Sequence, residues 1–242
     1  REPRLLGQRR VILPDSKDEV LIAFDFSQID ARMMAVGSQD EAYLANFAAG
    51  VDSHTALAEQ LWGDPSRRPD AKKLAHAMNY GMGAKSLAKD LGWSVADAQK
   101  LLDDIAQQYP KLHEFKQRLR TQATRHGYIE TGFGRRLRVN KQNAYTQAPA
   151  AYGQGTARDI LTEALIRMDL ETVGRIKMFV HDEIVVSVPK DKADEYRNTV
   201  LQAMTFEFTP PTLLDASDSV VSVSVIADAS NPGDNWTECY AD

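Results

Sequence analysis

Four side chains of different chemistry recur at one interval in this sequence: Arg68, Lys72, His76 and Tyr80, within SRRPDAKKLAHAMNYGMG at residues 66–83. Spaced by four, they fall on one face of a helix, roughly 6 Å apart per step. Two cations, an imidazole and a phenol, in that order, match a ligand with phosphates at one end and an aromatic base at the other, as in a nucleoside triphosphate. The same Arg and Lys spacing also describes a solvated helix face. Ser66 is placed to cap this helix, Pro69 is tolerated in its first turn, where no intrahelical bond is lost, and Gly81 ends it.

A second chemistry rides on strand signals. Residues 20–26, VLIAFDF, form a short apolar run that reads as a buried strand and delivers Asp25 near its end. The following SQIDARMMAVG has helical spacing, with Ile29, Met33 and Val36 on one side. An acid held by the end of a strand suits a metal ligand, and it equally suits a cap or a surface acid. Far along the chain, residues 176–180 and 184–188 are two apolar runs separated by His181, Asp182 and Glu183, which reads as a hairpin with an acidic tip. Asp is also simply a good turn residue.

The intervening segments supply the frame. Asp52 or Ser53 caps a helix running to Trp62 that carries His54, a lone imidazole read as structural or solvent-facing. Ser94 and Asp97 form a capping box for a helix to Gln108, and Tyr109-Pro110 breaks it before another helix to His126. Residues 127–139, GYIETGFGRRLRV, read as a hairpin with Gly132 and Gly134 at its turn, followed by Arg135, Arg136 and Arg138, which can hold phosphates. Residues 149–172 read as a long helix with Gln154 and Arg158 a turn apart, 190–206 as a surface helix, and 219–228 as a half-buried strand. The layout is α+β: an antiparallel sheet backed by helices, with a mostly helical section at about 38–141 inserted between its strands.

Composition narrows the class. The chain has 242 residues, 43% hydrophobic and 26% charged, enough for a sizeable core in one or two domains. No apolar run reaches membrane-spanning length, and the first residues lack the apolar stretch of a secretory signal, so a cytoplasmic setting without membrane contact is expected. One cysteine, Cys239, excludes an internal disulfide framework and a multi-cysteine zinc site. The net charge is -5, but unevenly placed: residues 111–141 carry nine Lys or Arg against two Glu, and residues 191–242 carry ten acids against two bases. Such asymmetry fits a surface that tracks a phosphate backbone, and fits a salt-laced helix face equally well.

DFSQIDAR from Asp25, RPDAKKLAHAMNYG from Arg68 and VHDE from Val180 together resemble, in order and spacing, the three polymerase motifs of the family A DNA polymerases, the DNA polymerase I group. SHTALAEQLWG, YPKL, GYIET with GRR, QGTA and NWTE are further likenesses. The resemblance spans nearly the whole chain and implies a palm (1–37 and 142–242) with inserted fingers and a basic helix-hairpin (38–141). Thumb and any exonuclease domain would precede Arg1.

The resemblance also implies a division of labour. Asp25 and Asp182 would hold two Mg²⁺ ions, with the backbone carbonyl of Phe26 completing a metal shell and Glu183 standing behind the two aspartates in the catalytic group. Arg68 and Lys72 would clamp the phosphates, Lys72 also protonating pyrophosphate. His76, Tyr80, Gln28 and Asp30 would line the nucleotide site. His181, Gln154, Arg135, Arg136 and Tyr80 would contact DNA. The partners are then primer-template DNA and deoxynucleoside triphosphates, and the protein a monomer in a bacterial or viral replication setting. Asp30 stands where the family has Glu, and His76 where it has Phe or Tyr, so sugar discrimination is expected to differ. TQAPAAYG before Gln154 lacks the family's Arg and Asn. The rival readings are a single-subunit RNA polymerase and a nucleic-acid-binding fragment without turnover.

Overall fold

The computed structural model describes residues 7–48, 51–79, 82–213 and 220–240. Its elements in chain order are β1 (Glu19–Phe26), α1 (Ile29–Ser38), α2 (Glu41–Ala45), α3 (Ser53–Trp62), α4 (Arg68–Asn79), α5 (Ala84–Leu91), α6 (Val95–Gln108) and α7 (Pro110–His126). There follow β2 (Tyr128–Glu130), β3 (Arg136–Arg138), α8 (Ala144–Arg167), α9 (Leu170–Gly174), β4 (Ile176–Val180), β5 (Glu183–Pro189), α10 (Ala193–Met204), β6 (Phe206–Phe208), β7 (Val223–Val225) and β8 (Ala227–Ala229). The fold is α+β, as expected, and the chain divides into two compact units.

The first unit takes the chain up to Ser27, Arg158–Phe206 and the part from Val225 onward. It contains the four-stranded sheet, ordered β4-β5-β1-β8 with antiparallel neighbours throughout. The central strands are buried on both faces: Leu21, Ile22, Ala23 and Phe24 in β1, and Ile184, Val185, Val186 and Val188 in β5. β-branched side chains fit such a pleated, covered surface. On one face Leu21, Ala23, Val185 and Cys239 form a cluster with Ile12, Met178, Trp236 and Tyr240 packed against it. The Cys239 thiol lies 3.4 Å from the Leu21 carbonyl and serves packing. α10 rests on the sheet through the buried Val200 and Met204.

The second unit comprises Gln28–Ala157 and Glu207–Ser224. Here α3 packs on α4, α5 on α6, and α1 on α7. Helix starts are set by side-chain oxygens: Asp52 accepts the Thr55 amide at 2.7 Å, and Ser94 accepts the Asp97 amide at 3.1 Å. Pro110 occupies the first position of α7, where a missing N–H costs nothing. β2 and β3 form the expected hairpin, Tyr128 opposite Arg138.

Several boundaries differ from the sequence reading, each for a physical reason. Asp64, not Ser66, caps the turn that leads into α4, accepting the Ser66 amide at 2.9 Å. α8 begins at Ala144 rather than Pro149, which lies inside it. Proline cannot donate to the carbonyl four residues back, Tyr145, and that oxygen instead accepts from Arg120 Nε at 3.0 Å. At its other end α8 stops at Arg167, and Asp169 caps a separate short helix, α9. Phe206 belongs to β6, not to the preceding helix. The single strand expected at 219–228 is two short strands in different sheets, β7 pairing with β6 and β8 with β1. Ser219 and the helix-ending Gly81 lie outside the described residues.

Candidate active site

In the first unit the ladder places the acids. Asp25 is the exposed position of β1, and it sits directly opposite Glu183 of β5 on one side and Asp228 of β8 on the other. Directly opposed residues share a face with Cβ atoms about 5 Å apart. Asp182 immediately precedes Glu183 in the turn that enters β5, so the β1–β5 pairing sets Asp25 opposite the residue next to Asp182. Phe26, the last residue of β1, pairs with Ala227.

The hairpin tip is two residues, His181 and Asp182, because Glu183 is already in strand register with Val180. His181 is exposed and adopts a left-handed backbone with φ 56°. A non-glycine residue held there costs about 1–2 kcal/mol, a strain concentrated at functional turns. Burial lifts the Asp182 carboxyl above its ordinary range, against smaller opposing effects from its own backbone hydrogen bond and from His181.

Glu183 was expected in the catalytic group behind the two aspartates; its carboxylate is buried and accepts from Trp236 Nε1 at 2.8 Å and from the Tyr240 hydroxyl. The Arg9 guanidinium lies over both rings, 4.2 Å from Trp236 and 4.7 Å from Tyr240. This cage ties the base of the hairpin to the C-terminal segment. Among the described residues no group of three or more His, Cys, Asp and Glu side chains could hold a metal ion. Asp25 and Asp182 offer carboxylate oxygens, the donor type that fits Mg²⁺, a hard cation that keeps waters and substrate phosphates in its shell.

In the second unit side chains, not ladders, set the positions. Arg68 and Lys72 are exposed on α4, while Ala71, Leu74, Ala77 and Met78 bury the opposite stripe. Arg68 forms a fork with Asp52, Nε to Oδ1 at 3.0 Å and Nη2 to Oδ2 at 2.8 Å. His54 titrates below its usual range, through burial first, then the Arg68 charge, opposed by Asp52, with Lys72 adding further. It therefore stands within electrostatic reach of both cations. His76 lies within α4, and Tyr80 lies outside the described residues.

Gln28 caps the start of α1 in a left-handed conformation, φ 52°, and its Oε1 accepts from Ser53 Oγ at 2.5 Å. Asp30, half-buried in the first turn of α1, faces α8 at Gly153, where an added Cβ would stand 3.4 Å from the Asp30 carbonyl oxygen. Two residues on, a methyl group at Gly155 would overlap Leu137 of the hairpin. Gln154 is exposed between these two close approaches. Arg135 reaches the same place, donating from Nη2 to the Gly155 carbonyl at 2.9 Å. Arg136 pairs with Glu130 at 3.0 Å and covers the Tyr128 ring.

Three site features escaped the sequence reading. Asp228 became visible only through the β1–β8 register. The Asp52–Arg68 fork and the approach of His54 to the cations depend on the packing of α3 on α4. The SHTALAEQLWG likeness was the available signal for both.

Comparison with known proteins gives these arrangements a context. Residues 1–238 match the model of DNA polymerase family A. DNA polymerase I of Pseudomonas aeruginosa is 31% identical over 240 residues, 91% of this chain and 25% of that protein. The thermostable DNA polymerase I of Thermus thermophilus is 34% identical over 208 residues, covering 78% of this chain and 25% of the relative. The DNA polymerase of Mycobacterium phage D29 is 31% identical over 208 residues, 84% of this chain and 34% of its own length. The chain therefore spans about a quarter to a third of these curated relatives. Among solved structures, the POL domain of Pol1 from M. smegmatis, determined with DNA primer-template and dNTP, superposes with a TM-score of 0.81 at 23% identity. That match covers all of this chain and 44% of the other. On the family match and the relatives together, the chain belongs to the family A DNA polymerases.

Proposed function

We propose that this chain is the catalytic region of a template-directed DNA polymerase, adding deoxynucleotides to a primer 3′-hydroxyl, with primer-template DNA and dNTPs as partners. The observation that carries the reading is the β1–β5 register, which sets Asp25 opposite Glu183, the residue that follows Asp182 at the hairpin tip. The M. smegmatis relative, solved with the same two classes of ligand, supports it.

Asp25 and Asp182 would hold two Mg²⁺ ions, which supply Lewis acidity for in-line attack on the α-phosphorus and charge neutralisation of pyrophosphate. The protein's own contributions are distinct. Glu183, gripped by Trp236 and Tyr240, keeps the hairpin base in place rather than binding metal itself. Arg68 and Lys72 bind the triphosphate, and Lys72 gives a proton to the departing pyrophosphate. Gln154 and His181 contact the duplex near the primer end, and Asp30 meets the sugar. Arg135 and Arg136 brace the hairpin, and both would face the DNA backbone.

Primer extension with Mg²⁺ by the intact protein tests this. Asp25→Ala and Asp182→Ala are each expected to abolish extension and to spare most of the DNA affinity. Full extension by either variant overturns the assignment.

A further inference from the structure

The Asp52 carboxylate does two things at once. It caps α3 through the Thr55 amide, and it holds two of the five N–H donors of Arg68 in a bidentate fork. Both side chains are about half exposed, 44% for Asp52 and 48% for Arg68. An ion pair that wet contributes little to folding, and the cap function of Asp52 needs no partner on α4. What the fork does accomplish is geometric. A guanidinium on a long, rotamer-rich stem is fixed in one plane, and the three donors outside the fork keep set directions.

We propose that Asp52 is a positioning residue for the triphosphate: it orients Arg68 so that the guanidinium meets the phosphates already aligned. This role depends on Arg68 binding phosphate, as proposed for the active site. Three observations converge on it. The carboxylate is anchored to the rigid first turn of α3, so it can serve as a fixed reference. The Arg68 hydrogen bond is the largest influence on Asp52 and holds its carboxyl far below the usual range, so the acid that makes the fork is ionised at neutral pH. His54 feels Asp52 together with the Arg68 and Lys72 charges, so the acid shares this pair of helices with a nitrogen base and two cations. A single acid placed among phosphate-facing donors would oppose anion binding unless it improved their geometry.

Steady-state incorporation by the intact protein tests the proposal, with KM for dNTP and kcat read separately. Asp52→Asn and Asp52→Ser both preserve an oxygen for the Thr55 amide, so melting should match wild type. Each should raise KM for dNTP about fivefold, with the larger share of the lost kcat/KM in KM. In an Arg68→Ala background neither should change KM further, because the group being oriented is gone. If KM is unchanged in both variants, or rises equally without Arg68, the positioning role is wrong. If Arg68→Ala itself leaves KM unaltered, the phosphate-binding reading fails instead, and the two failures are distinguishable.

Discussion

The two units place their chemistry by different means. In the first, Asp25 and Glu183 are opposed by a ladder of backbone hydrogen bonds, and Asp182 follows from a two-residue turn. In the second, Arg68 is oriented by Asp52 and Gln28 by Ser53, and the backbone beside Gln154 is set by two glycines that let neighbours approach. Ladder-borne groups move only if the sheet moves. Helix-borne groups can be loosened one at a time, which would suit the proposed engagement and release of a charged substrate. The acids are thus expected to respond to substitution as all or none, and the cations by degrees.

The largest departure from that contrast would come from Lys72. On the proposal that Lys72 donates the proton, Lys72→Ala should lower kcat by about 100-fold or more, beyond a graded binding defect. Single-turnover extension at saturating dNTP measures this, and a loss confined to KM would reduce Lys72 to a phosphate clamp. Next, Gly155→Ala should destabilise the protein by about 1–3 kcal/mol, because the methyl group overlaps Leu137. Adding Leu137→Ala should recover part of that loss in a denaturation cycle, whereas strict additivity would mean the overlap is absorbed elsewhere.

Tyr240→Phe removes one donor from the buried Glu183 carboxylate and should cost about 1–2 kcal/mol in urea unfolding. If extension falls in proportion while Asp25 and Asp182 are intact, the cage positions the hairpin tip. The smallest effect concerns pH. A buried acid with a raised pKa binds its proton more tightly in the folded state. Stability without divalent cations should therefore decline as pH rises from the ordinary carboxylate range through the raised value, then level off. Asp182→Asn should remove that decline in a pH series of urea melts.

Much of this was legible in the sequence because local chemistry dictated it. The caps at Asp52 and Ser94, the break at Tyr109-Pro110 and the apolar run of β1 depend on near neighbours, and each is found where it was read. Pro149 misled because its lost hydrogen bond is replaced by Arg120, a residue on another helix. The alternation at 219–228 looked like one strand because period alone does not say which sheet receives each half. Glu183 read as part of the tip because Trp236 and Tyr240 hold it from the far end of the chain. Local propensity cannot carry such tertiary partners.

Under the proposed function Asp25 and Asp182 bind divalent cations as a pair. Mn²⁺ binding followed by electron paramagnetic resonance, in the presence of primer-template and dNTP, reads this out. Asp25→Asn and Asp182→Asn should each abolish tight binding, with the double variant no worse than either, while Glu183→Gln retains metal. Wild-type Mn²⁺ affinity in either aspartate variant would contradict the account.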